Sequence, residues 1–178
     1  RHLLAPGPTQ VLPEALLAMA RPILYHRGPE YEALLSRVRE GLKFLFQTKN
    51  EVLLFTSSGT GGMEGTVVNT LSPGDRAVVI RSGKFGERWG EICEAYGLQP
   101  QYIDVEWGQA VEPDLVAAAL AADPSIKAVL ATHSESSTGV LHDIEAIARI
   151  VGRTPAILVV DAITSVGVVD LPMDAWGV

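Results

Sequence analysis

Apolar residues along this chain fall into two patterns that alternate. Over residues 30–47, Leu34, Leu35, Val38, Leu42, Leu45 and Phe46 recur at three- and four-residue spacing, which predicts an amphipathic helix packed on a core. Short apolar and β-branched runs predict strands at 52–55, 77–80, 101–105, 128–131 and 156–160. Helical stretches stand between them at 63–70, 85–96, 114–122 and 143–151, the second closed by Gly97 as a natural C′ residue. Upstream, Pro13 suits the first position of a helix over 14–20, and Pro22 ends it. Residues 3–9 hold too many prolines for a helix or a central strand and are expected to form an extended arm. Apolar strands separated by helices of this length predict an α/β fold, a mostly parallel sheet covered by helices on both faces.

Polar residues cluster where the predicted strands end. The run 52–55 leads into Ser57, Ser58, Gly59 and Thr60, and 77–80 leads into Arg81, Ser82, Gly83 and Lys84. The third cluster is Thr132 to Gly139, and the fourth opens with Asp161 directly after an apolar strand. Ligands of parallel sheets collect beyond the carboxyl ends of the strands, so four polar clusters on one inferred edge predict a site there. The stretch from Phe55 to Gly65 is a strand turning through glycines into a helix. Such a turn aims backbone N–H groups and the positive end of the helix dipole at one point, which suits an anion. It equally suits a tight turn with a serine N-cap, and both readings stay open on the residues alone.

Composition narrows the partners. The net charge is −7 and no Lys/Arg block stands out, which argues against a nucleic-acid groove. No apolar run is long enough to span a bilayer and no signal-peptide layout opens the chain, so no membrane contact and a cytoplasmic location are expected. Cys93 is the only cysteine, which excludes an intrachain disulfide and a cysteine zinc site, and no metal is expected. The chain starts with Arg1 rather than Met, so its true start is expected upstream. A length of 178 residues fits one domain or most of a larger one.

Familiar nucleotide and hydrolase motifs fail. In Gly59-x-Gly61-x-x-x-Gly65 the dinucleotide fingerprint breaks at Glu64, and Arg81 and Ser82 stand where an acid should close the next strand. No Gly-Lys-Ser/Thr ends the loop and no Gly-x-Ser-x-Gly marks a nucleophile elbow. His133, Ser136 and Asp161 are triad types, but nothing in the sequence fixes their geometry.

The string from Thr132 to Val140, Thr-His-Ser-Glu-Ser-Ser-Thr-Gly-Val, resembles the signature of the class V pyridoxal-phosphate aminotransferases. The alanine–glyoxylate and serine–pyruvate branch is the most similar. Supporting matches run in the family's order: Ala5-Pro6-Gly7-Pro8-Thr9, Phe46-Gln47-Thr48-Lys49-Asn50, Ser58-Gly59 with Glu64, Gly83-Lys84-Phe85-Gly86, and Val160-Asp161 with Ser165. The resemblance implies fold type I and pyridoxal 5′-phosphate as cofactor. By position, Ser58, Gly59 and Thr60 match the phosphate cup, although Thr60 replaces a histidine found in some relatives. Phe85 matches the aromatic that stacks on the ring, and Ile163 the apolar contact on its opposite face. Ser136 matches a residue near the phenolic oxygen. Asp161 matches the carboxylate that keeps the pyridine nitrogen protonated, so that the ring can act as an electron sink. His133 and Glu135 are read as ordering the loop.

The resemblance also sets the expected organisation. Residues 1–25 are expected to be an arm and short helix, and 26–178 a large cofactor domain, incomplete at its C-terminal end. The lysine that holds the cofactor as a Schiff base is expected beyond Val178, because Lys43, Lys49, Lys84 and Lys127 do not match its place. The implied activity of the parent is transamination between alanine or serine and glyoxylate or pyruvate, in a homodimer. Two alternatives remain: another class V enzyme such as a cysteine desulfurase or kynureninase, or a non-catalytic binding subunit, as in hydrogenase-associated relatives.

Overall fold

The computed structural model describes residues 3–178. After the arm come α1 (Pro13–Met19) and α2 (Pro29–Phe46), each opened by the proline that its first turn tolerates. Next are α3 (Gly59–Thr70), β1 (Arg76–Arg81), α4 (Lys84–Ala95), β2 (Gln99–Asp104) and α5 (Pro113–Ala122). The strand β3 (Ile126–Thr132) runs into a small antiparallel hairpin, β4 (Ser134–Glu135) and β5 (Val140–Leu141). Then follow α6 (Ile144–Val151), β6 (Ile157–Asp161) and α7 (Met173–Trp176). The Asp143 side chain caps α6 by accepting from Ala146 N at 2.9 Å.

The main sheet is parallel, in the order β2-β1-β3-β6. Alternate residues of its central strands feed two cores. Ala77, Val79, Ala128 and Leu130 pack with Met63 and Val67 of α3 and with Trp89, Ile92 and Cys93 of α4. Val78, Ile80, Val129 and Ala131 pack with Val116 and Leu120 of α5 and Ile144, Ile147 and Val151 of α6. A strand buried on both faces reads as an unbroken apolar run, which is why these were legible. Each buried Val, Leu, Ile or Met among them contributes roughly 1.5–3 kcal/mol.

Two expectations fail. Residues 52–55 form no strand: Leu53 is 71% exposed, and no strand among the described residues lies beyond β6 to pair with the segment. An apolar run becomes a strand only where a neighbour offers a ladder. Phe55 instead lies against α3, where a Cβ on Gly65 would stand 3.0 Å from its ring. The second correction concerns α2, which forms where predicted but buries none of its residues; Phe44 is 86% exposed. Its apolar face is only partly covered: Leu35, Leu42 and Phe46 are half-buried, while Leu34 and Val38 are exposed. Its end is nonetheless tied down, because Asp174 of α7 accepts from Thr48 Oγ1 at 2.5 Å and Lys49 N at 2.8 Å.

Candidate functional site

The chain leaves β1 for β2 on one side and then returns past β1 to β3 on the other. The carboxyl ends of β1 and β3 therefore flank a topological switch point, where loops diverge and leave a crevice. Glu135 bridges that gap. Fully buried, it accepts through Oε2 from Phe85 N and Gly86 N, each at 3.0 Å, and through Oε1 from Ser137 Oγ at 2.5 Å. A carboxylate from the β3 loop thus closes the N-terminus of α4, where charge and orphan amides favour it. Gly83 makes the approach possible: a Cβ there would lie 2.5 Å from Glu135 Cγ and Ser137 Oγ. Gly86 does the same for the helix on its strand, since a Cβ would meet Ile80 O at 2.6 Å.

His142 locks the same loops from below. Val111 N–H donates to its Nδ1 at 3.0 Å, so the neutral ring carries its proton on Nε2 and donates to Ser82 Oγ at 2.6 Å. Burial holds its pKa below the usual histidine range. His133 is also buried; its backbone N–H donates to Asp161 O at 2.8 Å and its carbonyl accepts from His142 N. No hydrogen bond joins the side chains of His133, Ser136 and Asp161 among the described residues, so no hydrolase-like triad forms.

On the other side of the crevice, Ser58 occupies the N-cap of α3 without a capping hydrogen bond from its side chain. The first carbonyl-bonded amides of the helix are those of Gly61 and Gly62, both to Ser58 O. Gly59 N–H and Thr60 N–H are left facing outward, as the first turn of any helix leaves them. Ser58 thus stands at the N-cap position that the turn reading expected, without the side-chain hydrogen bond of a serine cap.

A cavity of about 660 Å³ joins these parts. Ser58, Gly59, Thr60, Phe85, Ser136, Asp161 and Ile163 all line it. All seven residues singled out in the sequence are brought together. The arm contributes Pro6 to Thr9. Asp161 Oδ1 accepts from Ile163 N at 3.0 Å, and Oδ2 has no protein partner among the described residues. Burial raises its pKa, the charge of Glu135 acts in the same direction, and the Ile163 N–H opposes both. The cavity thus offers the unbonded first amides of a helix and a carboxylate without a cation.

Sequence reasoning missed Arg88. Its Nη1 donates to Thr60 Oγ1 at 2.9 Å, across from α4 to α3. The available signal was spacing: Arg88 follows Phe85 by one helical turn and shares its face.

Residues 8–178 match the family model of the class V aminotransferases. The chain belongs to that family. It is 48% identical to the small subunit of a soluble hydrogenase from Synechococcus sp., over 98% of this chain and 46% of that protein. It is 41% identical to the L-aspartate–glyoxylate aminotransferase of Paracoccus denitrificans, over 97% of this chain and 45% of that one. The crystal structure of an alanine–glyoxylate aminotransferase from Nostoc sp. superposes with a TM-score of 0.95 at 31% identity, covering all of this chain and 47% of that one. The chain spans about half the length of the curated relatives it matches. Class V aminotransferases work with pyridoxal 5′-phosphate, and the site fits that molecule: uncapped α3 amides suit its phosphate, and the unpaired Asp161 oxygen suits a protonated ring nitrogen. No helix among the described residues is long and apolar enough to cross a membrane.

Proposed function

We propose that the protein carrying this chain is a pyridoxal-phosphate aminotransferase that moves an amino group between alanine or serine and glyoxylate or pyruvate. The observation that carries the reading is Asp161, a partly buried carboxylate with no cationic partner, on the wall of a cavity that also holds the uncapped start of α3. When bound, the cofactor supplies an electron sink for bonds broken at the α-carbon of an amino acid. The chain's own residues bind and orient it. Ser58, Gly59 and Thr60 hold the phosphate, Phe85 and Ile163 bound the two faces of the ring, and the Ser136 hydroxyl serves the phenolic oxygen. Asp161 keeps a proton on the ring nitrogen by pairing with the N–H as a carboxylate. None of Lys43, Lys49, Lys84 and Lys127 lines the cavity. The resemblance assigns proton transfer at the α-carbon to a lysine that does not match any of these four.

The test is a transamination assay on the intact protein with alanine or serine as donor and glyoxylate as acceptor. Turnover should fall about a hundredfold or more in Asp161→Asn, the loss typical of removing one preorganised electrostatic partner. Equal turnover in the two proteins would take Asp161 out of the mechanism. A second reading is favoured by the Synechococcus relative, named as a hydrogenase subunit at 48% identity. In that case the fold serves as a binding subunit, and the intact protein would bind its partner while transaminating none of these pairs.

A further inference from the structure

We propose that Arg88 is a positioning residue of the phosphate cup, acting through Thr60 to turn a hydroxyl proton toward the anion. The proposal rests on reading the cavity as a pyridoxal-phosphate site. Arg88 Nη1 lies 2.9 Å from Thr60 Oγ1, while its Nε donates to Glu91 at 3.0 Å and fixes the guanidinium from the solvent side. A guanidinium has no acceptor, so the Thr60 oxygen must accept from it, and the one hydroxyl proton of Thr60 is directed elsewhere.

Where that proton goes follows from the helix. Thr66 and Thr70, further along α3, donate theirs to carbonyls four residues back, Gly62 O at 2.9 Å and Thr66 O at 2.8 Å. Thr60 is the second residue of α3, and the residue four back, Thr56, lies outside the helix. Its proton therefore finds no acceptor among the described residues, and Thr60 lines the cavity beside Ser58 and Gly59. Its hydroxyl joins the Gly59 and Thr60 amides as a third donor at the same helix start, with the positive charge of Arg88 directly behind it. Charge-assisted donors of this kind favour a doubly charged phosphate ester over a neutral ligand of the same shape.

The experiment measures equilibrium binding of pyridoxal 5′-phosphate and of pyridoxal, which lacks the phosphate, to the intact protein. Arg88→Gln, Thr60→Val and the double variant are compared with wild type. Each single variant should weaken pyridoxal 5′-phosphate about tenfold, the size of one charge-assisted hydrogen bond, and pyridoxal less than about twofold. The double variant should lose no more than about the larger single loss, because both changes break one contact. An equal loss for both ligands would make Arg88 a merely structural residue and overturn the proposal, as would additive losses. Should Arg88→Gln fail to fold, the near-isosteric Thr60→Val decides: an unchanged preference for the phosphorylated ligand sinks the proposal. A wild-type protein that does not distinguish the two ligands would instead refute the cavity reading itself.

Discussion

Asp161 is held in a place that does not suit a lone charge. Burial raises its folded pKa above the ordinary 3.8, so its contribution to stability is full below the unfolded value and is lost as pH rises through the folded one. Asp161→Asn keeps an acceptor for the Ile163 N–H and removes that cost. The ligand-free variant should therefore melt higher than wild type at neutral pH, with the difference closing as pH falls toward 3.8. Paired thermal melts across that range check this, and a variant that melts lower at neutral pH contradicts it. A buried carboxylate that costs stability in an empty cavity points to a use other than folding. At this scale much was legible. Asp161 stands alone after an apolar strand and Ser58 to Thr60 sit in a glycine turn, so the order of residues placed them at the strand ends that line the cavity, while their separate roles came only from the resemblance. Arg88 was not legible, because a charged residue on a helix reads as a solvated one until the helix that faces it is known.

At the scale of elements, the site depends on how α4 is docked. Its N-terminus is closed by Glu135 from another loop, 49 residues away in sequence from Gly86, and not by a local cap. Glu135→Ala would strand the amides of Phe85 and Gly86 and the hydroxyl of Ser137, at a cost of about 3 kcal/mol or more. Urea unfolding should show that loss in the midpoint, and a change within experimental error would remove Glu135 from the docking of α4. The strands β1 and β3 were readable because two helical layers cover them and leave only apolar positions. Residues 52–55 carry the same signal, yet a strand also needs a partner edge, which local sequence cannot reveal. Likewise the periodicity of α2 identifies an apolar face but not what covers it.

For the molecule as a whole, several large apolar side chains of the N-terminal segment and α2 stay open to water. Leu12, Leu17 and Met19 of the N-terminal segment and Phe44 of α2 are all exposed, and the residues around Pro6–Thr9 reach into the cavity wall. Large apolar side chains left open to water are the kind of surface that another surface covers. We propose that the intact protein is a homodimer that buries these faces, with the cofactor site near the interface. Light scattering should give twice the mass of one chain, and a fully active monomer would contradict it. The proposed function turns on a single proton, which Asp161 would hold on the cofactor's ring nitrogen. Nitrogen NMR of ring-labelled pyridoxal 5′-phosphate bound to the intact protein reads that proton. A protonated nitrogen is expected in wild type and its loss in Asp161→Asn; an unprotonated nitrogen in the wild-type complex would rule the pairing out.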